Sequence, residues 1–295
     1  MTGPDVASAL LEREHRHEYV RHGWLPLRRE GDVVVVGAAQ PLARSQRARV
    51  EKLVGSPIKI EPMLQSRIVG AVMAQFGADF AFEASEGLAQ RDQQLSAKTV
   101  LSRTQQVFSA VVLILLVAAG ILWPLQTLIT VIGAASVVFL ASTVFKFSIA
   151  LFGSRFDLAE RIAADDLRAL EDDELPIYTV LVPVFREARI VGRLVENLGR
   201  LDYPAERLEV LILVEEEDDE TRDAIALSNP PDNFVVVTIP KGTPQTKPRA
   251  CNVGLQVARG EFLVIYDAED APEPDQLKKT VVAFQRSTPE TVVMQ

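Results

Sequence analysis

The sequence predicts an α/β fold, a mostly parallel sheet with helices on both faces, set behind a small α+β unit and a two-helix membrane hairpin. Three observations carry this reading. From Ile177 onward, β-branched and apolar runs alternate with stretches of helical periodicity. From Thr104 to Phe145, 42 consecutive residues include no Asp, Glu, Lys, Arg or His. Ahead of that run, a valine-rich strand accompanies two amphipathic helical segments. The chain therefore divides into 1–100, 104–152, 153–176 and 177–295.

Residues 1–100 form the α+β unit. The Gly31-Asp32 turn precedes Val33–Val36, and Ala43–Leu53 and Gln65–Phe76 carry apolar residues at helical spacing with polar faces. His15, His17 and His22 lie near Glu14 and Glu18, but a His-x-His on so charged a helix points to solvent rather than to a metal.

As helix, the uncharged run would extend roughly 63 Å at 1.5 Å per residue, which is two bilayer crossings rather than one. Pro124 lacks an amide donor, and Gln126 and Thr127 interrupt the apolar run. The break falls at 123–127, with helices near 105–123 and 128–152. Lys98 and Arg103 precede the pair, Lys146, Arg155 and Arg161 mark its far end, and the turn between is uncharged. The positive-inside rule then places both flanking parts in the cytoplasm, the chain being a multi-pass protein of the inner (cell) membrane. A charged N-terminus, Leu11-Glu-Arg-Glu-His-Arg-His-Glu18, is no cleavable signal.

In the connecting segment, Phe156, Ala159, Ala163, Leu167 and Leu170 share one helical face, and Glu171-Asp-Asp-Glu-Leu-Pro176 reads as a solvated linker. Beyond it, strands are expected at Tyr178–Val184, Leu208–Val214, Phe234–Ile239 and Phe262–Tyr266. Helices are expected at Glu187–Leu201, Asp219–Leu227 and Arg249–Ala258. Such alternation calls for a parallel sheet, and ligands on parallel sheets bind beyond the carboxyl ends of the strands.

Charge narrows the partners. The chain holds 31 Lys and Arg against 40 Asp and Glu, and residues 153–295 alone hold 16 basic and 28 acidic side chains. Without a basic stripe, nucleic acid is not an expected partner. The one cysteine, Cys251, excludes an intrachain disulfide framework; with no His nearby to activate it, it reads as a small packed residue. No Gly-x-x-x-x-Gly-Lys-Ser/Thr phosphate loop occurs.

A polar cluster follows each C-terminal strand. These are Pro183-Val-Phe-Arg-Glu187, Glu215-Glu-Glu-Asp-Asp-Glu-Thr221, the stretch Lys241 to Leu255, and Asp267-Ala-Glu-Asp270. In this order, and with Leu201-Asp-Tyr-Pro204 and the tract Tyr266 to Leu277, they resemble family 2 glycosyltransferases of the cellulose-synthase and hyaluronan-synthase type across 177–295. The resemblance implies part of the GT-A nucleotide-sugar fold. In the first unit, Leu25-Pro-Leu, Gly31 to Ala38, Pro41-Leu, Val54-Gly-Ser-Pro and Ile68 to Gly77 resemble the N-terminal domain of type II secretion ATPases and of some bacterial glycosyltransferases. The Arg-Leu-Gly type motif by which some such domains bind cyclic di-GMP is not found, so nucleotide sensing is not carried over.

A departing sugar diphosphate gathers negative charge on its leaving oxygen, so its site needs a hard divalent cation held by carboxylates. Asp267 and Glu269 match the family's Asp-x-Asp motif with Glu in second place, and Asp270 competes for that place; the resemblance implies Mg²⁺ or Mn²⁺. Glu215 and Glu216 stand where the family has an Asp pair on the base and ribose, a role Asp218 or Asp219 would take in a shifted register. Acidic residues there also suit the positive end of the following helix. Lys247 and Asn252 match Lys-x-x-x-x-Asn, which contacts the nucleotide or its phosphates, with Lys241 and Arg249 adding positive charge. Glu187 is expected to help seat the nucleoside.

Inverting transfer also needs a general base on the acceptor hydroxyl. The resemblance places that base, with a Gln-x-x-Arg-Trp acceptor motif, downstream of Gln295, so the expected protein is the donor half of a longer enzyme. The reading is a membrane-anchored inverting glycosyltransferase moving sugar from a nucleotide-diphosphate donor to a polysaccharide or glycolipid acceptor. The alternative is a non-catalytic membrane-anchored nucleotide-binding or assembly subunit.

Overall fold

The computed structural model describes residues 8–98, 100–153, 162–288 and 291–293. Two compact units emerge, one formed by Met1–Gln90 with Ile162–Gln295 and the other by Arg91–Arg161.

The first unit begins with helix α1 (Arg16–His22), strands β1 (Trp24–Glu30) and β2 (Val33–Ala38), helix α2 (Arg44–Val54), strand β3 (Ile58–Pro62) and helix α3 (Gln65–Arg91). β1 and β2 pair antiparallel and β2 and β3 parallel, in the order β1-β2-β3. Gly31 turns the hairpin at a φ of 63°, a left-handed conformation that costs glycine least. Only β2 was expected from sequence. β1 contains Pro26 and lapses into charge at Arg28-Arg29-Glu30, and β3 is five residues of mixed polarity, so neither gives a clean apolar run. α3 continues well past the expected end at Phe76, since no proline stops it.

In the second unit, helices α4 (Arg103–Leu122) and α5 (Pro124–Gly153) are both long and apolar enough to cross a membrane. Ser102 caps α4 reciprocally: its hydroxyl accepts from the Gln105 amide, and its own amide donates to Gln105 Oε1. The expected five-residue break shrinks to Trp123 alone. Pro124 takes the first position of α5, where a missing amide donor costs nothing and the fixed φ suits a helix, so proline starts the second helix instead of prolonging the turn.

Residues 154–161 lie outside the described residues, and with them Phe156 and Ala159 of the expected amphipathic face. Beyond them lies a short helix, α6 (Ala164–Arg168). The acidic linker is not simply solvated. Leu175 is fully buried, Arg207 donates to the carbonyls of Asp173 and Leu175, and Lys278 pairs with Asp172.

The rest of the first unit comprises β4 (Tyr178–Val184), α7 (Val191–Leu198), β5 (Leu208–Glu215), α8 (Asp219–Leu227), β6 (Phe234–Ile239), α9 (Lys247–Val257), β7 (Phe262–Ile265) and α10 (Gln276–Arg286). All four strands are parallel, in the order β6-β5-β4-β7. β5 is buried along its whole length, as an interior parallel strand with both faces covered must be. Its alternate side chains feed two cores. Val210, Ile212 and Val214 join Leu194, Leu198 and Leu277 on one face. Leu211 and Leu213 join α9 and the N-terminal residues Val72, Phe76 and Phe80 on the other, so the N-terminal elements and the parallel sheet share one core.

Helix α9 is fixed to this second face at both ends by carboxylates of β5. Glu209, 1% exposed, accepts from Thr179 Oγ1 (2.8 Å), the Arg259 amide (2.9 Å) and Arg259 Nε (2.7 Å) just past the helix end. Glu215 faces Arg249 in the first turn, 3.6 Å away, both side chains buried. Truncating one partner of a buried pair strands the other, so Glu209→Ala is expected to cost about 3–5 kcal/mol of unfolding free energy, read by chemical denaturation in detergent. A loss below about 1 kcal/mol, the ceiling for a surface pair, would mean that Arg259 finds water instead.

Candidate functional site

Because all four strands run the same way, their carboxyl ends open on one side, and β4, β5 and β7 lead there into a cavity of about 460 Å³. Its walls include Phe185 and Glu187 after β4, Glu215 at the end of β5, Gln245, Thr246, Lys247 and Ala250 around the start of α9, and Asp267 and Glu269 after β7. Five of the eight donor and metal residues expected from sequence thus meet here: Glu187, Glu215, Lys247, Asp267 and Glu269.

The other three are not among the residues that line it. Glu216 accepts from the Lys241 amide at 3.0 Å and braces the loop after β6. Asp270 accepts from the Asp267 amide at 2.7 Å, closing the turn that presents Asp267. Asn252, five residues beyond Lys247 on α9, donates to the Ala84 carbonyl of α3 at 3.1 Å. Of the register alternatives, Asp218 is structural. It is the N-cap of α8, accepting from the Thr221 amide, and it also accepts from the Arg186 amide across the site. Asp219 is exposed and paired with Arg222.

Asp218 has a further local effect. Arg186 follows β4 at a φ of 58°, a left-handed backbone unusual for a non-glycine residue, and the Asp218 carboxylate with the Thr221 hydroxyl on the Glu187 amide (3.0 Å) holds that turn in place. Burial pushes the Asp218 carboxyl up, but the donors from Arg186 and Thr221 outweigh it and leave the group below its ordinary value.

The electrostatics are those of a crowded carboxylate site. Burial, followed by the nearby charges of Glu269, Asp267 and Asp218, pushes the Glu187 carboxyl up against the pull of Lys247. Burial likewise raises Glu215 against the attraction of Arg249. Lys247 hydrogen-bonds Asp267, which raises the ammonium. Glu187 Oε2, Glu215 Oε2 and Arg249 Nη1 are buried without a hydrogen-bond partner. Among the described residues no three His, Cys, Asp or Glu side chains gather in metal-holding geometry. The donor set nevertheless suits a hard cation: paired carboxylates at a strand end, a buried carboxylate oxygen with no partner, and mutual repulsion that an added positive charge would relieve.

Gln245, Thr246 and Phe185 line the cavity without having been singled out from sequence. Gln245 and Thr246 immediately precede Lys247, so the position of the Lys motif at a helix start was the available signal. Cys251 is buried against the shared core, and His15, His17 and His22 pair with Glu12, Glu83 and Glu18.

Comparison with known proteins agrees with the motif-based resemblances. Residues 176–294 match the family described as Glycosyltransferase like family 2, and residues 3–74 match the MshEN domain. The chain thus carries a family 2 glycosyltransferase domain behind an N-terminal MshEN domain, the type II secretion-related kind expected from its motifs. A dolichyl N-acetyl-alpha-D-glucosaminyl phosphate 3-beta-D-2,3-diacetamido-2,3-dideoxy-beta-D-glucuronosyltransferase of Methanococcus voltae is 32% identical over 108 residues, 37% of this chain and 34% of that protein. A beta-monoglucosyldiacylglycerol synthase of Trichormus variabilis is 30% identical over 113 residues, 38% of this chain and 24% of that protein. The chain therefore spans about a third or less of these relatives. Among solved structures, the mannosyltransferase PcManGT from Pyrobaculum calidifontis, in complex with GDP-Man and Mn²⁺, is 25% identical with a TM-score of 0.38, covering 51% of this chain and 42% of that one.

The raised Glu187 pKa has a measurable consequence. The folded state holds this proton more tightly than the unfolded chain does, so stability is greatest where Glu187 is protonated and falls as pH rises from the ordinary carboxylate value of 4.5 through the raised one. Glu187→Gln removes this contribution. Its stability relative to the native protein is expected to rise across that window, measured by denaturant unfolding of both proteins over a pH series. A constant difference would show that Glu187 titrates as a solvent-exposed carboxylate.

Proposed function

We propose that this chain is a membrane-anchored glycosyltransferase that binds a nucleotide-diphosphate sugar in the cavity at the carboxyl ends of β4, β5 and β7 and passes the sugar, with inversion, to a polysaccharide or glycolipid acceptor. The observation that supports this reading most directly is the convergence of Glu187, Glu215, Lys247, Asp267 and Glu269, from four separate places along the chain, on one cavity. In this reading Glu215 and Glu187 face the nucleoside, and Lys247 meets the diphosphate with a charge-assisted hydrogen bond. Asp267 and Glu269, with Asp270 as the alternative second ligand, would hold Mg²⁺ or Mn²⁺. Such an ion, when bound, offsets the charge that builds on the diphosphate as the glycosidic bond breaks. The names of the two curated relatives accord with a lipid-linked or glycolipid acceptor. Helices α4 and α5 would anchor the enzyme as a transmembrane hairpin with both flanking parts in the cytoplasm.

Asp267→Asn is expected to weaken Mn²⁺-dependent binding of UDP by about 1–3 kcal/mol, the usual cost of leaving a charged partner unpaired. Calorimetry on detergent-solubilised protein measures this. Equal UDP affinity with and without a chelator would remove the metal from the site. Reporter fusions at residue 100 and beyond residue 160 are both expected to report cytoplasm; opposite sides would mean a single crossing.

A further inference from the structure

The N-terminal helix α3 lies outside the cavity, yet it touches the two segments that build the cavity's basic wall. Gln256 Nε2 donates to the Phe80 carbonyl at 3.0 Å, and Asn252 Nδ2 donates to the Ala84 carbonyl at 3.1 Å. Both donors are four residues apart on α9 and both acceptors four apart on α3, so the two bonds are successive rungs between one face of each helix. A turn earlier, Gly77 meets Pro240, where a Cβ on the glycine would lie 3.0 Å from the proline Cγ. Pro240 opens the loop that carries Gln245 and Thr246 into the cavity wall.

From Pro240 the contacts continue inward. Its carbonyl accepts from Arg249 Nη2 at 2.5 Å, and Arg249 faces Glu215 on the cavity wall at 3.6 Å. Gly242 leaves the room the guanidinium needs, since a Cβ there would lie 2.6 Å from Nη2. Ala250, Cys251, Val253 and Val257 of α9 share one core with Phe76 and Phe80 of α3. The helix that presents Lys247 is thus packed between the sheet and the N-terminal domain.

We propose that α3 is a brace for this cavity: through Gly77 on Pro240, and through the Asn252 and Gln256 rungs, it holds the 240–247 loop and the start of α9 where Lys247 and Arg249 reach the site. Asn252 and Gln256 are positioning residues for that wall, and Asn252 acts through α3 rather than on a nucleotide. The bracing stands on the contacts alone; its effect on donor binding rests on the proposed function.

Hydrogen exchange on the ligand-free, full-length protein in detergent tests the brace directly. Asn252→Ala, Gln256→Ala and Gly77→Leu are each expected to speed exchange of the amides at 241–250 while those of β4 and β5 keep native protection. The first two change partly exposed side chains and serve where the leucine variant fails to fold. The chemistry of the rung gives a finer readout. Gln256→Glu keeps the shape but has no N–H to offer a carbonyl, so it should behave as Gln256→Ala; Gln256→Lys keeps a donor and should stay close to native protection. Native exchange at 241–250 in every variant overturns the brace.

With UDP and Mn²⁺ as probe, Gln256→Ala and Asn252→Ala are both expected to weaken binding, by about 3- to 10-fold, the range for one lost hydrogen bond. Reciprocally, UDP should slow exchange at residues 77–86, which do not line the cavity. Weakening by Asn252→Ala alone would assign that side chain to the nucleotide and overturn the brace. If native protein fails to bind UDP, the proposed function falls, and the ligand-free exchange still decides the brace.

Discussion

The position of α9 over β5 sets the geometry of the first unit. Two carboxylates from the same face of β5, Glu209 and Glu215, hold Arg259 beyond one end of the helix and Arg249 within the other. Between them the side chains of β4 and β5 pack so closely on the helix that a Cβ on Gly254 would sit 2.8 Å from Leu213 Cδ1 and 3.2 Å from Leu181 Cδ2. Glycine at this position therefore permits the packing, and the ionic contacts at the ends fix the position of the helix along the strand. Overpacking a close-packed core typically costs about 1–3 kcal/mol, so even one methyl group here would compete with a substantial part of a domain's stability. Both the cavity wall and the seat of the N-terminal helix depend on that placement.

The two ionic ends are not equivalent. Glu209 is satisfied by three donors, whereas Glu215 Oε2 lacks a donor and Arg249 Nη1 lacks an acceptor within hydrogen-bond reach, although both are buried. A fully partnered buried carboxylate is structural in character, and an under-partnered one holds unspent hydrogen-bonding capacity. The difference follows the direction of the strand. Glu209 lies at the amino end of β5, away from the cavity, and Glu215 at the carboxyl end that lines it.

The elements most legible from sequence were those whose residues also determine them locally. Tyr178–Val184 and Phe234–Ile239 are strands to the residue, because both are short runs rich in β-branched and aromatic residues bounded by turn residues. Asp219–Leu227 is likewise the expected helix, with Asp218 as its cap. β1, β3 and α10 were missed, the first two because short, partly polar strands depend on their partners more than on their own sequence. Of the candidate site residues, Glu187, Glu215, Asp267 and Glu269, at or just after strand ends, line one cavity, since parallel topology sends those ends to one side. The exceptions are instructive. Asn252 shares a motif with Lys247, but five positions along a helix turn it about 140° from that residue, toward α3, and only the tertiary packing of the N-terminal domain reveals that partner. Glu216 is the first residue past β5, in the turn that follows it, where its carboxylate accepts from the Lys241 amide.

The charge balance of the cavity bears on what it would admit under the proposed function. The lining cation Lys247 is already on Asp267, and Arg249, buried behind the wall, faces Glu215. Glu187 and Glu269 remain, close enough that Glu269 raises the Glu187 carboxyl. A nucleoside diphosphate arriving alone would add further negative charge to this surplus at short range, where effective dielectric constants well below that of water make repulsion cost several kcal/mol. Two changes would relieve it. A divalent cation bound with the donor would neutralise Asp267 and Glu269, and Lys247, released from Asp267, would become available to the phosphates. Under the proposed function, the Lys247–Asp267 pair would be the resting partner of each group, keeping two oppositely charged, half-exposed side chains oriented until an ion and an anion arrived together to take them apart.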